Sequence, residues 1–209
     1  MATRYADITP QMRKFIAKQH MFFVATAPLG EGRVNVSPKG YKDTFKVLDS
    51  RTFAYLELFG SGIETKAHLG DNPRITVMFC SFERQSNIVR LFGRGRHLRP
   101  DSPEFEGYAG HFNLEHPSPR GIVVVEVDST QESCGYSVPY LDFKDERAVL
   151  DRIHEPRPPQ EWARRVAEVN NKSIDGLPGL EPDHPLPTEV RARYAAAGRS
   201  QADDEADEG

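Results

Sequence analysis

The sequence predicts a mainly β protein, an antiparallel barrel or sandwich with flanking helices. Three observations predict it. Six short runs are rich in β-branched and aromatic residues and are bounded by Gly, Pro, Asn and Asp. Most connections between these runs are short. The runs do not alternate with long helical patterns, as a doubly wound sheet would require.

The elements follow in order. Thr9 and Pro10 form a helix start, a capping hydroxyl before a proline at the first helical position. Met12, Phe15, Ile16 and Gln19 continue at helical spacing, and the helix is expected to cover one end of a sheet. Residues 21–27 (Met-Phe-Phe-Val-Ala-Thr-Ala) read as a strand, 28–32 as a turn and 33–39 as its hairpin partner. Residues 51–58 form a third strand. A helical turn over 64–69 is expected to end at Gly70, and Asn72-Pro73 punctuates before a fourth strand at 74–80. Residues 87–96 are a fifth strand, in which Gly93 and Gly95 read as bulge glycines. A short helix is expected at 103–108 and a sixth strand at 121–127. Beyond it, 133–140 reads as a compact loop, 142–153 as weakly helical, and 160–170 as an amphipathic helix with Trp162, Val166 and Val169 on one face. We therefore divide the chain into a barrel domain with its N-terminal helix (1–140), a helical and irregular extension (141–200) and an acidic tail (201–209) expected to be disordered.

Bulk properties narrow the function. With 209 residues, 38% of them apolar, the chain can bury a sizeable core. A formal net charge of −4 argues against a nucleic-acid surface. Cys80 and Cys134 are far apart and lack metal-like spacing, which suggests a reducing compartment. The N-terminus runs straight into a helix-like pattern, and no apolar run approaches the ~20 residues of a membrane span. The expectation is a soluble, cytoplasmic protein.

Two stretches carry candidate chemistry. In residues 33–40, Val34 and Val36 alternate with Asn35 and Ser37, and the strand runs into Pro38, Lys39 and Gly40. Such a polar tip suits an anionic group, or is simply a strand end. In residues 60–66 (Gly-Ser-Gly-Ile-Glu-Thr-Lys), Ser61, Thr65 and Lys66 surround a helix start, where free N–H groups attract anions. This stretch reads equally as an ordinary capped turn. The seven histidines do not cluster as zinc ligands, and Gly135-Tyr136-Ser137-Val138-Pro139 lacks the final glycine of a nucleophile elbow. Arg90, Arg94 and Arg96 alternate along one strand face, solvated or turned toward a negative ligand.

Taken in order, these pieces resemble a known family. The strand of residues 21–26, the tip Asn35-Val36-Ser37-Pro38-Lys39-Gly40, the segment 60–69, Asn72-Pro73-Arg74-Ile75 and Arg90-Leu91-Phe92-Gly93 look like the pyridoxamine 5′-phosphate oxidase-like flavin-binding split barrels. The resemblance covers roughly residues 21–127. Residues 133–139 and 171–179 also resemble a bacterial and fungal subgroup of pyridoxamine 5′-phosphate oxidase-related proteins. It implies a six-stranded antiparallel split barrel, a homodimer, and flavin mononucleotide (FMN) in a cleft between subunits. Carried over, Asn35, Val36, Ser37 and Lys39 would line the cofactor, and Ser61, Thr65 and Lys66 would complete the phosphate site. The implied activity is an FMN-dependent oxidoreductase on an unknown small substrate, with no catalytic side chain assigned; Tyr136 is the candidate for a group near the ring. Two departures stand out. Thr65 occupies a position where the family often has Arg, and the extension with Trp162 and an acidic tail replaces the Trp and basic motif of the true oxidases. Pyridoxamine phosphate oxidation itself is therefore not expected. The alternatives are a non-catalytic flavin or haem carrier or sensor, with His68 or His97 as axial ligand, and a deazaflavin-dependent reductase that uses Arg90, Arg94 and Arg96.

Overall fold

The computed structural model describes residues 2–41 and 43–195. The acidic tail at 201–209 lies outside the described residues. Helix α1 (Pro10–Ile16) starts where the sequence places it: Thr9 Oγ1 accepts from the Met12 amide at 3.2 Å, and Met12, Phe15 and Ile16 turn inward. The strands are β1 (Thr3–Tyr5), β2 (Met21–Thr26), β3 (Asn35–Gly40), β4 (Phe45–Val47), β5 (Thr52–Leu58), β6 (Arg74–Cys80), β7 (Asn87–Leu98) and β8 (Pro119–Cys134). Helix α2 (Glu64–Asp71) joins β5 to β6, and α3 (Pro103–Ala109) joins β7 to β8. No helix among the described residues is long and apolar enough to cross a membrane.

All pairings between these strands are antiparallel, in the order β3-β2-β6-β7-β8-β5-β4, with β1 attached to β8. The two outermost strands of that order, β3 and β4, are consecutive in the chain and separated only by residues 41–44. A link this short brings the sheet's edges toward each other, so the sheet curls into a half-barrel. Within the link, Tyr41 (φ 113°) and Asp43 (φ 59°) take left-handed backbone that L residues rarely adopt, a strain set by this reversal.

The main order holds seven strands, not the six expected. Strand β4 is three residues long, too short for alternation to show, and β1 is wholly exposed and held by pairing alone. Strand β8 begins and ends beyond 121–127 and absorbs Ser133 and Cys134 from the expected loop. Gly70 lies inside α2; the helix stops at Asp71, ahead of Pro73. In the extension, helix occupies α4 (Val149–His154) and α5 (Pro159–Arg164), α5 runs on into a π-helical turn at Arg165–Val169, and residues 187–195 are helical as well. The bulge does occur at Gly93, where a side chain would lie 2.0 Å from the Glu126 carbonyl oxygen.

Three apolar clusters place the site. Phe53 and Tyr55 of β5 face the barrel interior with Phe22, Val77, Phe79 and Val125. Ala54 and Leu56 face the other side, against α3. Burial on both faces hides the strand period in β5. Phe59 and Ile63, just past β5, pack with Trp162, Val166 and Leu180 and fasten the extension to the barrel.

Candidate functional site

A cleft of about 310 Å³ lies between β3 and the start of α2. The two-residue period of β3 puts Asn35, Ser37 and Lys39 on the cleft side and leaves Val36, 61% exposed, on the other. Ser61 and Thr65 line the opposite wall. Side chains tie the walls together. Ser37 Oγ donates to Asn35 Oδ1 at 3.1 Å, and Asn35 Nδ2 reaches Thr65 Oγ1 at 3.4 Å. Thr26 Oγ1 lies 3.5 Å from the same amide nitrogen and 3.1 Å from His68 Nδ1. Ile63 provides no side-chain cap, so the first amides of α2 are left for other acceptors.

Beneath the cleft lies a buried charge cluster that sequence reading missed. Glu57 continues the inward register of Phe53 and Tyr55 and is fully buried. Its Oε2 accepts from Arg120 Nε at 3.0 Å, and its Oε1 lies 3.5 Å from Lys39 Nζ. His97 Nε2 approaches Oε2 at 3.3 Å, a reach that Gly121 permits, since a side chain there would sit 2.3 Å from that nitrogen. Arg120 also donates to the Gly62 carbonyl at 2.9 Å, and its guanidinium lies over the Phe59 ring at 5.6 Å. Burial would raise the Glu57 carboxyl, but Arg120, Lys39 and His97 together outweigh it and hold the group well below the usual carboxylate range. Burial pulls the Lys39 ammonium below its ordinary value; Glu57 opposes that shift and Arg120 adds to it. Two signals were available: a carboxylate in register with two core aromatics, and an arginine between Pro119 and Gly121 at the start of β8.

Lys66 does not line the cleft. Its ammonium donates to the Gly179 carbonyl and to Glu181 Oε1, the latter at 2.8 Å. The same stretch of the extension covers both predicted segments. Asp175 pairs with Arg33, and the Ile174 amide donates to Glu64 Oε1 at 3.0 Å. Arg165 Nη2 donates to the Gly60 carbonyl at 2.9 Å, and His184 Nε2 lies 2.8 Å from the Arg120 carbonyl. Arg90 bonds Ser133 of the neighbouring strand β8, and Arg96 bonds Glu104 of α3. Tyr136 is 85% exposed. His68 and His97 are buried against Thr26 and Glu57.

A family model described as pyridoxamine 5′-phosphate oxidase matches residues 8–134. The chain belongs to the pyridoxamine 5′-phosphate oxidase family. A pyridoxamine 5′-phosphate oxidase family protein, ustO of Aspergillus flavus, is 35% identical over 195 residues, covering 84% of this chain and 77% of that protein. Among solved structures, HupZ of Group A Streptococcus is similar, at 24% identity and a TM-score of 0.45, over 57% of this chain and 89% of HupZ. The FAD binding protein of Mycobacterium smegmatis is similar at 13% identity and a TM-score of 0.42, over 62% of this chain and 97% of that one. The family match ends at Cys134, so the stretch that holds Lys66 and covers the cleft lies beyond it.

Proposed function

We propose that this family member binds FMN in the cleft and acts as a flavin-dependent oxidoreductase on a small substrate. The observation that carries the reading is the convergence of β3 and the α2 start, from separate parts of the chain, on one polar cleft with a lysine in its floor. In this reading Asn35, Ser37, Lys39, Ser61 and Thr65 hold the cofactor's polar edge and phosphate, with the Val36 backbone beside the ring. Lys66 takes part only once released from Gly179 and Glu181. The flavin would supply the electron transfer, and the protein its placement and electrostatics. Pyridoxamine 5′-phosphate is not the proposed substrate. Glu64 stands on the cleft wall, and a carboxylate there disfavours a second phosphate.

The proposal includes a cytoplasmic homodimer. It is supported by Val34 and Val36, 70% and 61% exposed at the outer edge of the sheet, where an unpaired strand invites a partner. The test is the visible spectrum of the purified protein, with chemical identification of any released ligand. A yellow protein that releases FMN, and whose flavin is reduced by a nicotinamide donor and reoxidised by oxygen, is the expected result. A protein that takes up no flavin when it is added refutes the reading. Light scattering in solution tests the dimer.

A further inference from the structure

Lys66 is engaged elsewhere, so the cations of the cleft come from other residues. Arg120 is in position. It lines the cleft and is 2% exposed. Its Nε is taken by Glu57 and its Nη1 by the Gly62 carbonyl; Nη2 makes no hydrogen bond among the described residues. Lys39 stands beside it, its side chain 23% exposed, at ion-pair distance from the same carboxylate. Glu57 Oε1 has no hydrogen-bond partner among the described residues. A permanently charged guanidinium and a lysine ammonium therefore share one buried carboxylate. Unbalanced positive charge out of water is costly unless something completes it. The nearby polar groups suit an oxyanion: the Ser61 and Thr65 hydroxyls and the uncapped amides at the start of α2. Glu64, also on the cleft wall, is turned toward the Ile174 amide.

We propose that Arg120 is a binding residue for an oxyanion in this cleft, and that Glu57 is the positioning residue that holds Arg120 and Lys39 side by side. That the oxyanion is the phosphate of FMN rests on the function proposed above; the anion site does not. A guanidinium presents N–H groups in a fixed plane, and a lysine substituted there keeps the charge but loses the fork.

The test uses the full chain and two ligands that differ by one phosphate, FMN and riboflavin. Arg120→Lys is expected to weaken FMN binding roughly 10-fold and to leave riboflavin within about twofold. Arg120→Ala would strand Glu57 and risk unfolding, so the companion variant is Glu57→Leu with Arg120→Met, which replaces the buried pair by apolar groups of similar volume. It is expected to fold and to lose FMN affinity at least about 10-fold while keeping riboflavin. Glu57→Gln tests positioning. It is expected to melt earlier than the wild type without anion and to gain more stability from millimolar inorganic phosphate, because the anion replaces the missing counter-charge. A merely structural Glu57 would show the first effect without the second.

If both arginine variants bind FMN as the wild type does, or lose FMN and riboflavin in equal measure, the proposal is overturned. If the wild type does not prefer FMN to riboflavin, the flavin reading fails and inorganic phosphate decides alone. A phosphate-induced rise in melting temperature in the wild type but not in the double variant upholds the anion site; no rise in either overturns it.

Discussion

Lys39 and Lys66 come from the two segments that meet at the cleft, and the fold gives them different surroundings. Lys39 sits in the barrel wall, on a strand whose register aims it inward, over a carboxylate that is fully buried. Lys66 sits in the first turn of α2 and is held by the extension, through Gly179 and a Glu181 side chain that is 44% exposed. The first is fixed by the sheet, the second by a segment that packs against the sheet. Two lysines in similar polar motifs thus differ in which layer of the structure controls them. The barrel lysine is committed to the cleft, whereas the helix lysine is conditional on the extension.

The sharpest way to break that contrast is to detach the extension. Trp162 is fully buried, 5.0 Å from the Phe59 ring and 4.9 Å from His154, with the Arg157 guanidinium over its face at 5.1 Å. Trp162→Ala is expected to destabilise that layer by about 3–5 kcal/mol. Residues 165–184 should then exchange their amide hydrogens well before the β6, β7 and β8 core does. In that background Lys66 is freed, and Lys66→Ala should weaken FMN binding where it hardly does in the intact protein. Unchanged exchange over 165–184 would mean the extension is held by something other than this cluster.

Next in size is Lys39→Ala. Loss of a charge-assisted contact to phosphate is expected to weaken FMN about 10- to 100-fold and to spare riboflavin. Arg120 remains to neutralise Glu57, so the fold should persist by circular dichroism. Equal loss of both ligands would place Lys39 in the core and not at the ligand.

Lys66→Ala alone should act mainly on the extension. A half-exposed ion pair is worth at most about 1 kcal/mol, so opening of the 171–184 stretch should rise by no more than about fivefold. FMN affinity should move by less than about threefold on the same reasoning. A loss as large as that of Lys39→Ala would erase the distinction between the two lysines.

The contrast also separates what the sequence discloses from what it hides. Thr9 and Pro10, the limits of β6 and the bulge at Gly93 were legible, because capping, apolar runs and glycine geometry act within a few residues. The facing of Asn35, Ser37 and Lys39 follows from a period of two. The pairing of Glu57 with Arg120 spans 63 positions and that of Lys66 with Glu181 spans 115, beyond the reach of any local pattern. Strand β4 was hidden for a different reason. Its three residues have no periodicity, and it exists because the curled sheet offers β5 as a partner.

Acid should reveal the two layers separately, with the smallest effects of the set. Burial pulls the His184 imidazole down to about 4, and the nearby His97 and Arg99 add to the shift. The folded state therefore favours neutral His184, and its contribution is intact above the ordinary value of 6.5 and is lost as pH falls toward about 4. For Glu181, burial would raise the carboxyl, but Lys66 and Arg99 outweigh it and bring it to about 2. Its contribution is intact above the ordinary 4.5 and is lost as pH falls toward about 2. Amide protection over 171–184, corrected for the intrinsic exchange rate at each pH, should accordingly fall in two stages, the first between about 6.5 and 4 and the second below 4.5. Glu57 is held well below its ordinary value by Arg120 and Lys39 against burial, so the cleft floor should respond only in the second stage. His184→Gln should remove its share of the first stage, leaving that of His154, which burial likewise depresses to about 4. Glu181→Gln should flatten the second stage over 171–184 and leave the barrel's response in place. A single stage shared by barrel and extension would show one cooperative unit, and Lys66 would then be as firmly placed as Lys39.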